Sequence, residues 1–458
     1  MKMSPEWSHL MLSLLVGMYF SVGITESLSL RRETTIQNDN PLLDPSDCSE
    51  SQLLVQYHTT PGVEDPAHIF EKAGYNRVMV LQKAQDRIKQ SQADLDEEKE
   101  AFVKLEGNVN FIFWGTSAWD FEMSAYTQDS VFIDTFRYAE YGHEWRFVDP
   151  STQDSSPNKE HTITLDDGAN YAVMTSIFFG QYQHILIDHL GYLAYLWKKL
   201  PPTTKFILVD SQDEEDPSNG HYAERLLNVL DPQFARERVV FLSCSNNKRC
   251  NKKVEIRNGG SLTLFRPPMA SRDPVLYSYA REWILTKYTP KPMSLTHKTV
   301  VFYTRGNGQR VSGRVMDYEQ EQRLLQQTRH LMLRLNRPEK LVVFDGSISI
   351  QDQIDLFQSA SVVIGPHGGG LANLLFTLPI GNTCQSRPKV LEFVTSRATK
   401  VLQNGLPSNS YYYLFKTIPW IEYHSILYTS ESTLETTFVN EKSYHDALLS
   451  IFGAKQLS

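Results

Sequence analysis

The chain has 458 residues, of which 41% are hydrophobic and 21% charged, ordinary values for a globular protein with room for two or three domains and a large core. Such a composition excludes a fibre and a disordered chain. The formal net charge of −8 comes without any basic block, which excludes a typical nucleic-acid-binding face, since gripping a phosphate backbone needs clustered Lys and Arg.

Leu10 to Ile24 (LMLSLLVGMYFSVGI) is an uncharged, largely apolar run, preceded by Lys2 and followed by Arg31 and Arg32. A comfortable membrane span needs about 20 residues, so the run fits the core of a secretory signal, with a short signal anchor as the second reading. Residues 1–30 are therefore expected to be a signal peptide or signal anchor, and residues 31–66, polar and rich in Asn-Asp and Asp-Pro clusters, a stem or linker. Either reading sends the rest of the chain to the lumen of the secretory pathway, in the Golgi or the endoplasmic reticulum, free or as a type II membrane protein. Cys244 and Cys250 bracket a polar loop that suits a local disulfide, which leaves Cys48 and Cys384 free or paired with each other. The cysteine spacings do not repeat as zinc-binding pairs.

Gln82 to Glu106 reads as a charged, solvated helix. It contains Asp94 and Asp96, a metal-type triplet placed in an acidic run where a solvated face is the simpler account, so no metal ligand is assigned. Asn108 to Gly115 begins the strand-like material. A striped helix over Gln181 to Leu200 is followed by strands in KFILVD, RVVFLS and SLTLF, with helices in HYAERLLNVL and from Tyr277 to Tyr288. This alternation predicts an N-terminal Rossmann-like domain over 67–288 with a parallel, doubly wound sheet. Thr289 to Lys298, with two prolines, is the linker.

A second alternation fills 299–430. It predicts strands at Thr299–Tyr303, Leu341–Phe344, Ser361–Gly365 and Val390–Val394, with helices at Asp317–Leu335 and Ile350–Ser359 and a helix start at Leu371–Phe376. Residues 431–458 supply a C-terminal helix, Glu441 to Phe452, expected to cross back to the first domain. The fold class is thus α/β, with two Rossmann-like domains facing across a cleft, and ligands belong at the carboxyl ends of the strands.

The candidate chemistry gathers at those ends. Arg305, Arg310 and Arg314 lie in a Gly-rich loop after the TVVFY strand, and guanidinium groups hold phosphate through paired donors. In VVIGPHGGGLAN, His367, Gly368, Gly369, Gly370 and Asn373 form a strand-to-helix corner where glycines allow close backbone approach and open amides attract an anion. Glu392 sits in the next strand, where a carboxylate either bonds ribose hydroxyls or is a satisfied structural acid. In the first domain His184 and Asp188 are four apart on a helix, a spacing that suits a general base with an orienting neighbour.

Taken in order, QYQHILID, LGYLAYL, VVFYTRGNGQR, LFQSASVVIGPHGGGLANLLF and VLEFV resemble the family 61 glycosyltransferases over roughly Tyr171 to Val394. The resemblance implies a GT-B fold and inverting transfer of N-acetylglucosamine or xylose from a UDP-sugar to a glycan or glycoprotein hydroxyl, with the UDP-sugar as co-substrate, no other cofactor and no obligatory metal. By position it implies Asp188 and His184 as catalytic, and Arg305, Arg310, His367, Gly368, Gly369, Gly370, Asn373 and Glu392 as donor-binding. A non-catalytic lumenal protein that keeps the scaffold to bind glycans or protein is the alternative.

Overall fold

The computed structural model describes residues 56–58, 102–117, 120–128, 131–137, 142–148, 162–174, 182–212, 221–245, 250–265, 274–288, 298–305, 316–378, 387–395, 421–428 and 439–453. The segment expected to be a signal, Asp94 and Asp96, Arg310 and Arg314, most of the expected linker, Cys48 and Cys384 lie outside the described residues, as do the sulfurs of Cys244 and Cys250.

In chain order, β1 (Gln56–His58) and β2 (Phe102–Glu106) precede a meander of β3 (Val109–Ser117), β4 (Asp120–Tyr126), β5 (Val131–Arg137) and β6 (Gly142–Val148). After β7 (Thr162–Leu165) and β8 (Asn170–Met174) come a helical turn (Tyr182–His184), a π-helical segment (Ile185–His189) and helix α1 (Leu190–Lys199). Strand β9 (Lys205–Gln212), helices α2 (Tyr222–Leu230) and α3 (Pro232–Arg238), strands β10 (Val239–Ser245), β11 (Cys250–Ile256) and β12 (Ser261–Phe265), and helix α4 (Pro274–Lys287) complete the first part. The second part runs β13 (Thr299–Tyr303), α5 (Tyr318–Arg334), β14 (Lys340–Phe344), α6 (Ile350–Gln358) and β15 (Ala360–Pro366), then a 3-10 helix (Gly369–Phe376), β16 (Lys389–Thr395), β17 (Glu422–Tyr428) and α7 (Glu441–Ile451).

The second part is built on an all-parallel sheet of order β1-β17-β16-β15-β13-β14. Its central strands β13 and β15 read as nearly continuous apolar runs because both faces are covered. Val300, Phe302, Val362, Ile364, Leu391 and Phe393 pack under α5 and α7, while Val301, Tyr303, Val363 and Val390 face the opposite side. Helix starts follow side-chain caps: Asp317 accepts from the Gln320 amide, Ser349 from Asp352 and Asn440 from Ser443. The last helix differs from its expected course. Its apolar stripe of Tyr444, Ala447, Leu448 and Ile451 is buried on the second sheet itself, with Tyr444 bonded to Thr328 of α5 at 2.5 Å, instead of crossing back. Gln56–His58, inside the segment read as stem, pairs in parallel with β17.

The first part has a sheet of order β10-β9-β8-β12-β2, parallel except for the antiparallel edge β2. That edge corrects the helix expected up to Glu106: Leu105 turns into the core and Lys104 and Glu106 turn out, a two-residue period. The doubly wound expectation also fails on one face. There a second sheet, β6-β5-β4-β3-β11-β7, packs Val109, Phe111, Phe113, Val254 and Ile256 onto Tyr171, Val173, Ile207, Leu262 and Leu264. Among the described residues, helices cover the other face, through Ala172, Phe206 and Leu208. Among the described residues no helix is long and apolar enough to cross a membrane.

At the amino ends of β16 and β17, buried His424 lies 2.7 Å from Glu422, with Lys389 at 3.5 Å from the same carboxylate. Burial holds the His424 imidazole below its ordinary range despite the carboxylate beside it. Burial also works to raise Glu422, but the His424 hydrogen bond and the Lys389 and Arg387 charges outweigh it and leave the carboxyl below its usual range. Both folded pKa values are depressed, so the unfolded chain takes up more protons as pH falls. The His424 contribution is lost below about pH 6.5 and that of Glu422 below about pH 4.3. Urea midpoints at pH 7.5 and 5.5 are expected to fall for the native protein and to fall less for His424→Gln.

Candidate functional site

A ligand crevice in a parallel sheet opens where the strand order reverses, outside the carboxyl ends. In the second sheet β14 and β15 flank β13, so the reversal lies between β13 and β15. In the first, β9 and β10 extend one way from β8 and β12 lies on its other side, so the reversal lies between β8 and β12. The chain leaving β8 leads to Tyr182–His189, and the chain leaving β15 leads to Gly369–Phe376. These two segments pack against each other.

Their junction is polar at its centre. Tyr182 O–H donates to Asn373 Oδ1 at 2.8 Å, and Asn373 Nδ2 donates to Gln353 Oε1 and to the Gly370 carbonyl, each at 3.1 Å. Gln353 Nε2 in turn donates to the Ile348 carbonyl at 2.9 Å. Asn373 is fully buried and Gln353 nearly so, so this chain of partners satisfies groups that would otherwise be costly to enclose. From α4, buried Arg281 donates to the Leu375 carbonyl at 2.5 Å, and its loss of hydration pulls its pKa down to about 9.

The three glycines have a specific steric reason. A Cβ on Gly368 would collide with the Arg305 guanidinium, one on Gly369 would lie 2.8 Å from Gln183 Oε1, and one on Gly370 would enter the Tyr303 ring. The close approach expected from the sequence is therefore made by the protein's own side chains. Gly368 is itself extended, and the helix that follows is 3-10, not α. Leu371 N–H closes on the Gly368 carbonyl, which leaves the amides of Gly369 and Gly370 without an intrahelical partner.

Arg305 follows β13 and donates through Nη1 to the His367 carbonyl at 3.0 Å, so the two strand ends at the reversal are tied together. Beside it Thr304 Oγ1 donates to Glu321 Oε2 at 2.6 Å, and burial raises the Glu321 carboxyl above its usual range. His367 Nδ1 lies 2.6 Å from Glu392 Oε1, while Tyr423 O–H donates to Glu392 Oε2, and Glu392 has no exposed surface. His184 and His189 are both buried. The α-helix expected through Gln181 to Leu200 widens into a π turn over Ile185–His189, and π turns recur at functional sites. The side chain of Asp188 and all of Arg310 lie outside the described residues.

The structure thus joins Arg305, His367, the glycines, Asn373 and Glu392 around one strand reversal, with the Tyr182–His189 segment packed against it. Sequence reasoning missed Tyr182, Gln183, Tyr303, Arg281 and Tyr423. An aromatic residue ending an apolar strand was the one available sign for Tyr303, and the others carried none. Among the described residues no three His, Cys, Asp or Glu side chains converge as metal ligands. Gly370→Ala is expected to lower stability by about 1–3 kcal/mol because the Tyr303 ring is packed and cannot yield. Gly369→Ala should cost less, since the end of Gln183 can swing aside. Chemical denaturation of the two variants compares them.

No curated protein matches the chain. Residues 182–387 match the family model described as Glycosyltransferase 61, a span that takes in both packed segments and the Arg305 strand end. Over these residues the chain is similar to glycosyltransferase family 61.

Proposed function

We propose that the protein is an inverting glycosyltransferase of the secretory-pathway lumen that moves N-acetylglucosamine or xylose from a UDP-sugar to a hydroxyl of a glycan or glycoprotein, on a GT-B scaffold and without a metal. The observation that carries this is the tie between Arg305 and the His367 carbonyl at the β13/β15 reversal, beside Gly369 and Gly370, whose amides start a 3-10 helix and have no partner within it. A guanidinium and backbone amides at one strand reversal suit a diphosphate.

In this reading a base takes the proton from the acceptor hydroxyl, whose oxygen attacks the anomeric carbon from the face opposite UDP. The glycosidic electron pair leaves with the diphosphate, whose growing charge Arg305 and the amides stabilise. Asp188, with His184 on the same segment, is the proposed base. The π turn around Asp188 favours a functional role for that stretch. The N-terminal apolar run supports lumenal delivery, whether by cleaved signal or anchor.

Asp188→Asn is expected to lower turnover about 100- to 10,000-fold, the usual contribution of a general base, and to leave UDP binding unchanged. Full activity in that variant would withdraw the assignment. Arg305→Ala is expected to weaken UDP in calorimetry by about tenfold to a hundredfold, the loss of a charge-assisted contact. Unchanged UDP affinity would remove Arg305 from the donor site. Hydrolysis of a panel of UDP-sugars by the native protein tests the reading as a whole, and its absence would favour a glycan-binding protein on the same scaffold.

A further inference from the structure

A diagonal across three adjacent parallel strands joins His367 just past β15, Glu392 in β16 and Tyr423 in β17; the register partners of Glu392 are Gly365 and Ser425, two residues from His367 and Tyr423 respectively. Glu392 is a fully buried carboxylate inside the run VLEFV of β16, a position that costs several kcal/mol unless the charge is well partnered. Its two oxygens meet different partners, Oε1 the His367 ring at 2.6 Å and Oε2 the Tyr423 hydroxyl. His367 is further fixed by its backbone: its N–H donates to the Phe393 carbonyl at 3.0 Å and its carbonyl accepts from Arg305. The ring therefore has little freedom to turn.

A carboxylate only accepts hydrogen bonds, so the ring nitrogen facing Glu392 must carry the hydrogen. In the neutral ring the lone pair then lies on Nε2, at the far side from Glu392. A lone pair repels phosphate oxygen and accepts from a hydroxyl. We propose that Glu392, backed by Tyr423, is a positioning residue that holds the proton on His367 Nδ1, so that Nε2 accepts a hydrogen bond from a hydroxyl of the donor, on its ribose or its sugar, and not from its diphosphate. The ligand identity rests on the UDP-sugar reading above; the fixed tautomer does not.

Replacing Glu392 by Gln gives a test that a merely structural acid would not pass. Tyr423 still donates to the new side-chain oxygen, which turns the amide nitrogen toward His367. That nitrogen donates, so Nδ1 must become the acceptor and the hydrogen moves to Nε2. Removing the Tyr423 hydroxyl as well frees the amide to turn over and present its oxygen to Nδ1 again. Nitrogen-15 spectra of the full-length, histidine-labelled protein, with the His367 signals identified by their loss in His367→Asn, read this directly. The native ring is expected to be protonated on Nδ1, the E392Q ring on Nε2, and the E392Q/Y423F ring on Nδ1 again.

Hydrolysis of the UDP-sugar should follow the same pattern. A loss of about tenfold to a hundredfold in kcat/KM is expected in E392Q, the scale seen when a site histidine loses its supporting partner, with recovery in the double variant. A native ring protonated on Nε2 overturns the proposal even if E392Q does not fold. So does a tautomer unchanged in E392Q, or a double variant no better than E392Q. If the native protein hydrolyses no UDP-sugar while the spectra behave as expected, the transferase reading falls and the positioning role of Glu392 stands.

Discussion

The constraint on which this molecule depends is the flush contact between the segment after β8 and the segment after β15. Each leaves the carboxyl end of a parallel strand at the reversal of its own sheet, and the two meet with no side chain on one flank. Gly368, Gly369 and Gly370 leave room for Arg305, Gln183 and Tyr303 respectively, so one short run sets the approach of three residues from two distant stretches of chain. The Tyr182–Asn373–Gln353 hydrogen bonds then fix the register of that contact, because a buried amide has a narrow set of acceptable partners. Shifting either segment would strand Asn373 without partners and drive a tyrosine ring into the main chain.

Much of the frame was legible in the sequence, and for definite reasons. The strands Thr299–Tyr303 and Ala360–Pro366 are largely apolar on both faces, and the helices between them start at Asp317 and Ser349, signals that depend on neighbours close in sequence. Arg305 and the glycine corner could be placed on one sheet edge because parallel topology sends alternate connections to the same side. The meander from Val109 to Val148 was hidden, since an antiparallel sheet stacked on a parallel one is set by tertiary packing of Phe111 and Phe113 against Tyr171 and Leu264. A π turn in a run that reads as ordinary helix leaves no local mark, and neither does the pairing of Tyr182 with a residue 191 positions away.

Glu392 shows where pattern reading stops. By its place in a strand it read as either a ribose ligand or a satisfied acid. Its partners His367 and Tyr423 lie two residues from its neighbours Gly365 and Ser425 on the flanking strands, and that placement comes from register, which a single strand does not encode. An otherwise apolar run that keeps one carboxylate is a local inconsistency of the kind that marks a site more often than a scaffold.

The large apolar cluster has a mechanical consequence. It runs without a break from Ala172, Phe206 and Leu208 under the first sheet, through Leu193 and Trp283, to Leu371, Val363 and Tyr423 on the second. The two sheets are therefore not two bodies on a tether: separating them would bare apolar surface on both, and they should melt as one cooperative unit. A motion that admits substrate is then confined to small sliding of packed helices. In this chain the capacity to move is set by the thickness of the shared core.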